Sequence, residues 1–594
     1  MIRVADYIIG RLYDAGAHHL FLVTGRGNLF LSDAVARHKK MSSICTHHEQ
    51  AASYAAMAYA QQNSSIGACL VSTGCAATNA ITGLLCAWQD DVPCVFLSGQ
   101  NKLAETVRHS GIPIRTFGQQ ETDIITIVSS ITKYAVMLSD PKQVAYEMDK
   151  AFYLANEGRR GPVWIDVPLD VQNMRVDPGS LERYAPPAKT SPTPEQPELN
   201  AVVELFNRAR RPAILIGNGI RSADAVTELA TLTESTEVPI TTAASAVDVY
   251  GVGHKNSIGT VGSLGGTRAG NFVVQNSDLL LVIGCRLSTI TTGEEYEKFA
   301  RHAKIVVVDI DPVEHTKNTV RIDHFIHSDA KAFLSEFNSL PLHKSQNDWV
   351  EQCQHWKHIF PRCEPQFKSE GSVDIYHLGE ALSHVLPDDA IVVTDSGLTE
   401  LLIPSTLELR MGQRCLHPAS QGAMGYALPA AVGAALASGR DVITCVGDGS
   451  IMMNIQELLT ISHLKVPVKI FVTNNNMYSV IRTRQEELFR NRSIGTDSSN
   501  GVGNPCFKKL ADAYELPYKH IPNTTNLREQ LQDAISTPGP FLCEVLCVED
   551  QNYIRNSFCH DSRRRVVRRP LEDQAPFMDR NTFLSEMLVD PIDQ

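Results

Sequence analysis

The sequence predicts an α/β protein with three doubly wound domains, each built on a parallel sheet that helices cover on both faces. Three blocks of about 180 residues alternate short, nearly continuous apolar runs with helical stretches. Such runs are typical of strands buried on both faces, as in parallel sheets. At 594 residues, the chain is also too long for a single hydrophobic core.

Two stretches poor in apolar residues separate the blocks. The first, 182–200, is rich in proline and polar residues, and the second, 341–373, is polar with proline and glycine near its end. Such compositions are typical of linkers rather than of a packed core. We therefore expect three domains, at 1–180, 195–342 and 372–550, followed by a tail at 551–594.

Composition and charge indicate a cytoplasmic enzyme. The formal net charge of −12 argues against a nucleic-acid-binding protein, because such a protein needs a basic face. No apolar run reaches the roughly 18 residues that span a bilayer, and the amino terminus lacks the apolar block of a signal peptide. The 14 cysteines are scattered, as expected for small core residues in a reducing compartment.

Strands and helices alternate in each block in turn. In the first block the strands are HLFLV, SSICTH, GACLVST and PCVFLSG, and the helices are HEQAASYAAMAYAQQ and AATNAITGLLCAWQDD. The strands of the second block are PAILIG, VPITTA, LLLVIG and KIVVVDID. Those of the third are AIVVTD, DVITCVGD and PVKIFVTN.

In the third block, a Gly-Asp-Gly turn and a run of three asparagines each follow a strand. Asp448 follows DVITCV, and Asn475 follows PVKIFVT after one crossover helix. Because a βαβ unit carries both strand ends to one edge of the sheet, the two side chains are expected close together. Their oxygens suit Mg²⁺, and Gly447 and Gly449 let backbone N–H groups approach a diphosphate. A tight turn without a ligand is the alternative.

This motif resembles the signature of the thiamine diphosphate (ThDP) enzyme family, and the resemblance runs nearly from end to end. It implies a pyrimidine-binding domain at 1–180, a central dinucleotide-type domain at 195–342 and a diphosphate-binding domain at 372–550. In that signature the aspartate, the second asparagine and a backbone carbonyl two residues later hold the metal, here Asp448, Asn475 and Met477. ICTHHEQAASYAAMAYA resembles the family's pyrimidine-binding domain. By that match Glu49 is the acid that activates the cofactor, whereas a helix-capping glutamate is the alternative.

Two further segments resemble parts of the ThDP site. STGCAATN is similar to the family's Gly-Pro-Gly-x-Thr-Asn turn and keeps Gly74, Thr78 and Asn79, with Cys and Ala in place of Pro and Gly. QGAMGYALPAAVGAA resembles the stretch that supports the bent cofactor. By that match Met424 lies under the cofactor, and the carbonyl of Gly422 accepts from its 4′-amino group.

The middle block resembles the FAD-binding domain of the acetolactate synthase-like branch of this family. ILIGNGIR, LVIGCRL and VVVDIDPVEHTKN are similar to its dinucleotide-binding segments, and GRRGPVWIDVP carries an arginine that reaches the flavin. Because TTAASAVDVY departs from the Thr-Leu-Gln-Gly run of the branch, a domain that has lost the nucleotide is the alternative. The implied FAD contacts are Arg159, Gly217, Gly219, Gly284, Arg286, Asp309 and Asp311.

Near the acceptor site the sequence departs from the acetolactate synthase pattern. Gln120 matches the glutamine beside the thiazolium, but Gln119 replaces a phenylalanine and Arg26 replaces a glycine. Arg482 and Arg484 stand where a synthase has its substrate-selecting tryptophan. The departing residues are candidates for an acceptor pocket that suits an anionic compound, with solvated side chains as the alternative. This region and the tail also resemble enzymes of surface-polysaccharide pathways, some of which transfer acetyl units to keto-sugar nucleotides.

The resemblance implies a ThDP- and Mg²⁺-dependent carboligase. The donor is pyruvate or a similar 2-oxo acid, which loses CO₂, and the acyl unit passes to a second carbonyl compound; Glu49 activates the cofactor and Gln120 orients the substrates. His48 and His417 either assist the reaction or are histidines packed in the interior. Because Glu49 and Asp448 meet across a subunit interface in the family, a homodimer or homotetramer is expected. The alternatives are a non-ligating decarboxylase, a flavin-dependent oxidase and a catalytically silent scaffold subunit.

Overall fold

The computed structural model describes residues 1–188, 191–560 and 566–592. It contains three six-stranded sheets, and every strand pairing within them is parallel. Helices lie between successive strands of all three sheets. The predicted fold class is therefore confirmed. No helix among the described residues is both long and apolar enough to cross a membrane.

The amino-terminal sheet has its strands in the order second, first, third, fourth, sixth, fifth. In chain order they are His19–Leu22, Ser42–Cys45, Gly67–Val71, Cys94–Gln100, Tyr134–Met137 and Val163–Pro168. The helices of at least eight residues around this sheet are Val4–Asp14, Leu29–Arg37, Glu49–Asn63, Ile81–Gln89 and Val144–Asn156.

The carboxyl-terminal sheet repeats the same strand order. Its strands are Ile391–Thr394, Arg414–Leu416, Val442–Gly447, Val468–Asn474, Tyr518–Ile521 and Phe541–Leu546. Its main helices are Ile375–Val385, Leu398–Thr406, Ala427–Ser438, Glu457–Leu464, Ser479–Phe489, Phe507–Ala513 and Leu527–Ile535.

The central sheet has a different strand order, third, second, first, fourth, fifth, sixth. Its strands are Pro212–Ile216, Ile240–Thr242, Ser257–Thr260, Leu279–Ile283, Lys304–Asp309 and His324–His327, and its main helices are Gln196–Arg208, Val226–Thr236, Arg268–Asn276 and Ala330–Asn338. The order reverses between the first and fourth strands, which are neighbours. Open α/β sheets bind their ligands at such a switch point.

The two outer domains share one hydrophobic core through a pair of alanine-rich helices. Helices Glu49–Asn63 and Ala427–Ser438 contribute most of their residues to this core. They approach so closely that a Cβ atom at Gly433 would lie 2.1 Å from the carbonyl oxygen of Ala55. Glycine at this position, with the small alanines around it, therefore permits the direct contact between the two backbones.

The polar stretch 341–373 contains more structure than a linker. It includes helix Asn347–Ile359, whose Trp349 and Trp356 are buried in the core of the central domain. The indole nitrogen of Trp349 donates to the carbonyl of Pro212 at 2.8 Å. The two tryptophans pack on the domain before the stretch, which its polar composition did not reveal.

The tail also packs against the central domain. Glu572 and Gln574 are buried. The carboxylate of Glu572 pairs with Arg301 at 2.7 Å, and the backbone carbonyl of Gln574 accepts from Arg268 at 3.1 Å. The tail is therefore part of the folded molecule.

A buried aspartate in the amino-terminal sheet makes the stability sensitive to pH. Burial raises the pKa of Asp166 to about 7, although its carboxylate accepts hydrogen bonds from Ser98 at 2.6 Å and Gln100 at 3.2 Å. Since the pKa is raised in the folded state, the stabilisation is complete below pH 4 and is lost as the pH rises towards 7.

We expect Asp166→Asn to remove this pH dependence. Wild type should lose on the order of 4 kcal/mol of unfolding free energy between pH 4 and pH 7 from this group. Urea midpoints of both proteins, measured across that range, test the expectation. Parallel profiles would show that Asp166 is not the responsible group.

Candidate active site

The Gly-Asp-Gly turn and the asparagine run meet at the carboxyl edge of the third sheet. Strands Val442–Gly447 and Val468–Asn474 are paired in parallel, with Gly447 opposite Thr473. The backbone N–H of Asp448 donates to the carbonyl of Thr473 at 3.2 Å. The βαβ geometry thus places the two strand ends side by side.

The Asp448 carboxylate is desolvated but has several hydrogen-bond donors. Burial raises its pKa to about 6, and hydrogen bonds from the backbone of Gly449, Asn476 and Asn475 and the side chain of Asn504 oppose the shift. The distances are 2.8 Å from Gly449 and 2.7 Å from the amide nitrogen of Asn504. Sequence reasoning missed Asn504, because no strand-end pattern marks it.

The residues predicted to hold a metal through their oxygens are all shielded from solvent. Asp448, Asn475 and Met477, here called the metal-site group, are all buried. The amide nitrogen of Asn475 donates to the hydroxyl of Ser479, which leaves the carboxamide oxygen for a ligand. A carboxylate, a carboxamide and a backbone carbonyl are hard donors that fit Mg²⁺. No cluster of three His, Cys, Asp or Glu residues that could hold a metal occurs in the described parts of the chain.

Gly449 lies where a side chain cannot be accommodated. A Cβ atom there would lie 1.9 Å from a ring carbon of Tyr478. Gly449 is buried, and the Tyr478 ring packs directly against its backbone next to the metal-site group. The residue must therefore be glycine for the turn and the ring to pack in this way.

Glu49 begins the helix Glu49–Asn63 at the carboxyl edge of the first sheet. His48 caps this helix, and its Nδ1 accepts from the backbone N–H of Gln50 at 3.3 Å. The Glu49 carboxylate instead accepts a hydrogen bond from the side chain of Asn79 at 2.9 Å. The alternative of a helix-capping glutamate does not hold, because the neighbouring histidine performs that role.

The predicted turn around Gly74 lies against the glutamine pair. Gly74 has a φ of +61°, and a Cβ atom there would lie 2.0 Å from the carbonyl oxygen of Gln120. The guanidinium of Arg26 donates to the side-chain oxygen of Gln119. The backbone carbonyl of Gln119 in turn accepts from Asn101 at 2.8 Å. Gly74, Arg26 and Asn101 thus bring three separate segments of the first domain to the glutamine pair.

Glu49 and the metal-site group, here called the two half-sites, lie on different domains of the chain. Over the described residues, no hydrogen bond or ion pair joins Glu49 to the metal-site group. The domains do contact each other beside Glu49. The backbone N–H of His47 donates to Glu457 at 3.0 Å, and Asn454 donates to Gln50 at 3.0 Å.

A buried aspartate fixes the loop that carries Gly422 and Met424. Asp395 is fully buried and accepts backbone hydrogen bonds from Gly425 at 3.1 Å and Ala427 at 3.0 Å. Gly422 itself has a φ of +56°, and Met424 is half-buried. Asp395 is the last residue of the run AIVVTD, so its position at the end of a strand was a signal that the sequence offered.

His417 is a packed histidine at a domain boundary. It is buried, and its Nε2 lies 3.0 Å from the carbonyl oxygen of Ala244. Burial lowers its pKa, but the nearby carboxylates of Glu400 and Asp90 outweigh burial and raise the pKa above its usual value. Its contacts hold the loop before Gly422 against the central domain.

A cavity of about 490 Å³ opens at the switch point of the central sheet. A Cβ atom at Gly217 would lie 2.2 Å from the carbonyl oxygen of Gly284, and one at Gly219 would lie 2.6 Å from the Cα of Gly284. The crossing of these backbones therefore requires glycine. The cavity is lined by six of the seven predicted dinucleotide contacts, Arg159, Gly217, Gly219, Gly284, Arg286 and Asp309.

The two arginines among the predicted dinucleotide contacts differ in their ion pairs. Arg159 contacts three carboxylates, Asp91 at 2.7 Å, Glu314 at 2.7 Å and Asp311 at 3.1 Å. It therefore connects the first domain to the central one. Arg286 donates to a serine hydroxyl at 3.1 Å and forms no ion pair with the residues that the structure describes.

Arg482 and Arg484 lie on the helix that follows the metal-site group, and both are paired with acids. Arg482 contacts Glu486 at 2.9 Å and Asp497 at 3.3 Å. Arg484 contacts Glu487 at 3.2 Å. Their positive charges are therefore compensated inside the protein.

Three family models match the chain in order. Residues 2–127 match the N-terminal TPP binding domain of thiamine pyrophosphate enzymes, 199–337 their central domain and 395–545 their C-terminal TPP binding domain.

Curated relatives match the chain over most of its length. An acetolactate synthase of Arthrospira platensis is 31% identical over 92% of this chain and 94% of its own. Acetolactate synthase 3 of Brassica napus, a chloroplast protein, is 30% identical over 93% of this chain and 84% of its own. An acetolactate synthase large subunit of Porphyra purpurea is 30% identical over 90% of both chains.

Proposed function

Because the chain belongs to the thiamine pyrophosphate enzyme family and to its acetolactate synthase-like branch, we propose that it is a ThDP- and Mg²⁺-dependent carboligase. The donor is pyruvate or a similar 2-oxo acid, and the acyl unit passes to a second carbonyl compound. The observation that carries this proposal is the pair of half-sites at the carboxyl edges of the two outer sheets, which share one strand order.

ThDP, when bound, supplies the carbon that attacks the keto group and accepts the electrons released with CO₂. The metal-site group would hold Mg²⁺ through its oxygens, and the backbone at Gly449 would bind the diphosphate. Glu49 would hold the proton that the aminopyrimidine exchanges, with Asn79 fixing the carboxylate. Gln120 would orient the substrates beside Gly74.

The loop 422–424 would position the ring system of ThDP. The Gly422 carbonyl would accept from the 4′-amino group, and Met424 would support the bent cofactor from below. The hydrogen bonds that Asp395 accepts keep this loop in place. A rigid support suits a site that must hold a cofactor in one conformation.

We further propose that the central cavity binds FAD as a structural cofactor. The switch-point location, the glycine crossing and an Arg286 guanidinium without an ion pair among the described residues support a dinucleotide with its diphosphate beside this residue. The purified protein should then show flavin absorbance near about 450 nm, a property of the cofactor itself.

We expect Arg286→Gln to lower the affinity for FAD by about tenfold or more, because a charged hydrogen bond to the diphosphate is lost. Flavin content per chain, measured after dialysis, checks this expectation. Arg208→Gln, on the surface of the same domain, is the control. Equal flavin content in both variants would remove the role of Arg286.

We also propose that the protein forms a homodimer or homotetramer and that it works in a reducing, cytoplasmic compartment. The absence of a hydrogen bond or ion pair between Glu49 and the metal-site group within the described residues of one chain supports a complete site formed between two copies. The thirteen cysteines whose side chains the structure describes are all unpaired, which supports a reducing environment.

Product analysis tests the carboligase proposal directly. The protein with ThDP and Mg²⁺ is incubated with pyruvate and a panel of aldehydes, ketones and keto-sugars, and the products are identified by mass. Coupled ketols are expected. Free aldehyde as the sole product would favour a decarboxylase. Oxygen uptake would favour an oxidase, and a lack of pyruvate consumption would favour a scaffold subunit.

A further inference from the structure

We propose that Arg26 binds an anionic group, a phosphate or a carboxylate, on the acceptor and so sets acceptor specificity. This inference rests on the proposed carboligase function and names the substrate class of the same site. It follows from the position of Arg26, the rigidity of its turn and the absence of an acidic partner.

Arg26 lies at the same edge of the first sheet as the acid assigned to cofactor activation. Strands His19–Leu22 and Ser42–Cys45 are parallel neighbours, with Leu22 opposite Cys45. Arg26 follows the first strand at the same offset at which Glu49 follows the second. The carboxyl ends of neighbouring parallel strands share one crevice, so both side chains border the proposed reaction site.

The backbone next to Arg26 is held in a tight turn. A Cβ atom at Gly27 would lie 1.8 Å from the hydroxyl oxygen of Thr73. The N–H of Gly27 donates to Ser72 at 3.0 Å, and its carbonyl accepts from Gln172 at 2.6 Å. Since the backbone of Gly27 is fixed by these contacts, little backbone entropy is lost when Arg26 binds a ligand.

The guanidinium of Arg26 has one neutral partner and spare donors. It donates to Gln119, whose backbone is fixed by the buried Asn101. No ion pair to Arg26 occurs among residues 1–188, 191–560 and 566–592. An arginine has five N–H donors in a planar fork that matches phosphate and carboxylate. Most of this fork is open to a ligand, because the side chain is exposed.

The other cationic candidates for the acceptor pocket do have acidic partners. Arg482 and Arg484 are paired with carboxylates of their own helix or of the loop that follows. An anion at either residue would have to displace an acid already in place. Of these three candidates, Arg26 is therefore the one that has no ion pair among the described residues.

Arg26 and Gln119 act as a unit. Both positions depart from the acetolactate synthase pattern, and the two side chains are hydrogen-bonded to each other. A neutral amide orients the guanidinium without cancelling its charge, as a carboxylate would. The pair therefore suits recognition of an anion.

Matched acceptors test the proposal with the complete, ThDP- and Mg²⁺-loaded enzyme and pyruvate as donor. Glycolaldehyde phosphate is compared with glycolaldehyde, and succinic semialdehyde with butyraldehyde, so that the phosphate and carboxylate sources are separated. The readout is the ratio of kcat/KM for the anionic member to that for the neutral member. In wild type we expect this ratio to exceed about 10 for at least one pair.

In Arg26→Gln the ratio of kcat/KM for the anionic to the neutral acceptor should fall about 10- to 100-fold. In Arg26→Lys the ratio should lie between those of wild type and Arg26→Gln, because a point charge without the planar fork remains. Arg208→Gln is the matched control. A wild-type ratio near one for both pairs would overturn the proposal, as would a variant that loses the anionic and neutral acceptors in equal proportion.

A donor assay separates this proposal from the function on which it rests. Pyruvate-dependent reduction of ferricyanide by wild type reports the donor half of the reaction without any acceptor. Its absence would overturn the carboligase function itself. Its presence together with an acceptor ratio near one would overturn the assignment of Arg26 alone.

Discussion

Replacing Glu49 by glutamine is expected to lower kcat for 2-oxo acid consumption by about 100- to 10,000-fold, the range that a positioned acid contributes. The glutamine has nearly the same shape, and its side-chain oxygen can still accept the hydrogen bond from Asn79. The fold should therefore persist while the exchangeable proton is lost. Single-turnover CO₂ release with pyruvate measures the effect.

Binding of ThDP separates a chemical role of Glu49 from a structural one. Calorimetric titration with ThDP and Mg²⁺ should give a Kd for Glu49→Gln within severalfold of the wild-type Kd, since the proposed site for the diphosphate and the metal lies on another domain. Glu204→Gln, on an exposed helix, is the matched control. Wild-type turnover in Glu49→Gln would refute the assignment.

Replacing Asp448 by asparagine is expected to raise the Kd for ThDP in the presence of Mg²⁺ by at least about 100-fold. The variant loses the carboxylate of the metal-site group, and even the partners of metal ligands change affinity by about 10- to 100-fold. Calorimetric titration at fixed Mg²⁺ measures this Kd. Asp512→Asn, an exposed aspartate on a neighbouring helix, should bind like wild type.

The metal-free form of Asp448→Asn should be at least as stable as wild type at pH 8. Burial raises the pKa of Asp448 to about 6, so the charged form reduces stability above that pH, and a neutral side chain of the same shape removes this cost. Urea midpoints without metal check it. An unaltered Kd would show that the metal is held elsewhere.

Much of the architecture could be predicted because the responsible signals are local. The apolar runs between helices specified parallel sheets, and a strand-end aspartate and asparagine one crossover apart had to meet. The glycines of the central domain mark a crossing that tolerates no side chain. Short-range patterns of this kind are visible in sequence.

The features that were missed depend on long-range contacts. Trp349 and Trp356 stand in a polar stretch, and only their distant partners show that they are core residues. Asn504 reaches Asp448 from a loop without a pattern. The pairing of Arg482 with acids likewise depends on how a helix and a loop are arranged, which composition does not determine.

The direct contact of helices Glu49–Asn63 and Ala427–Ser438 also limits how this molecule can move. Two backbones separated by less than a methyl group at Gly433 cannot slide or hinge without a steric clash. Opening and closing around reactants would then fall to surface segments, while the framework stays still. Slow steps of the reaction cycle should accordingly respond to changes in loops rather than to changes in how the outer domains are oriented.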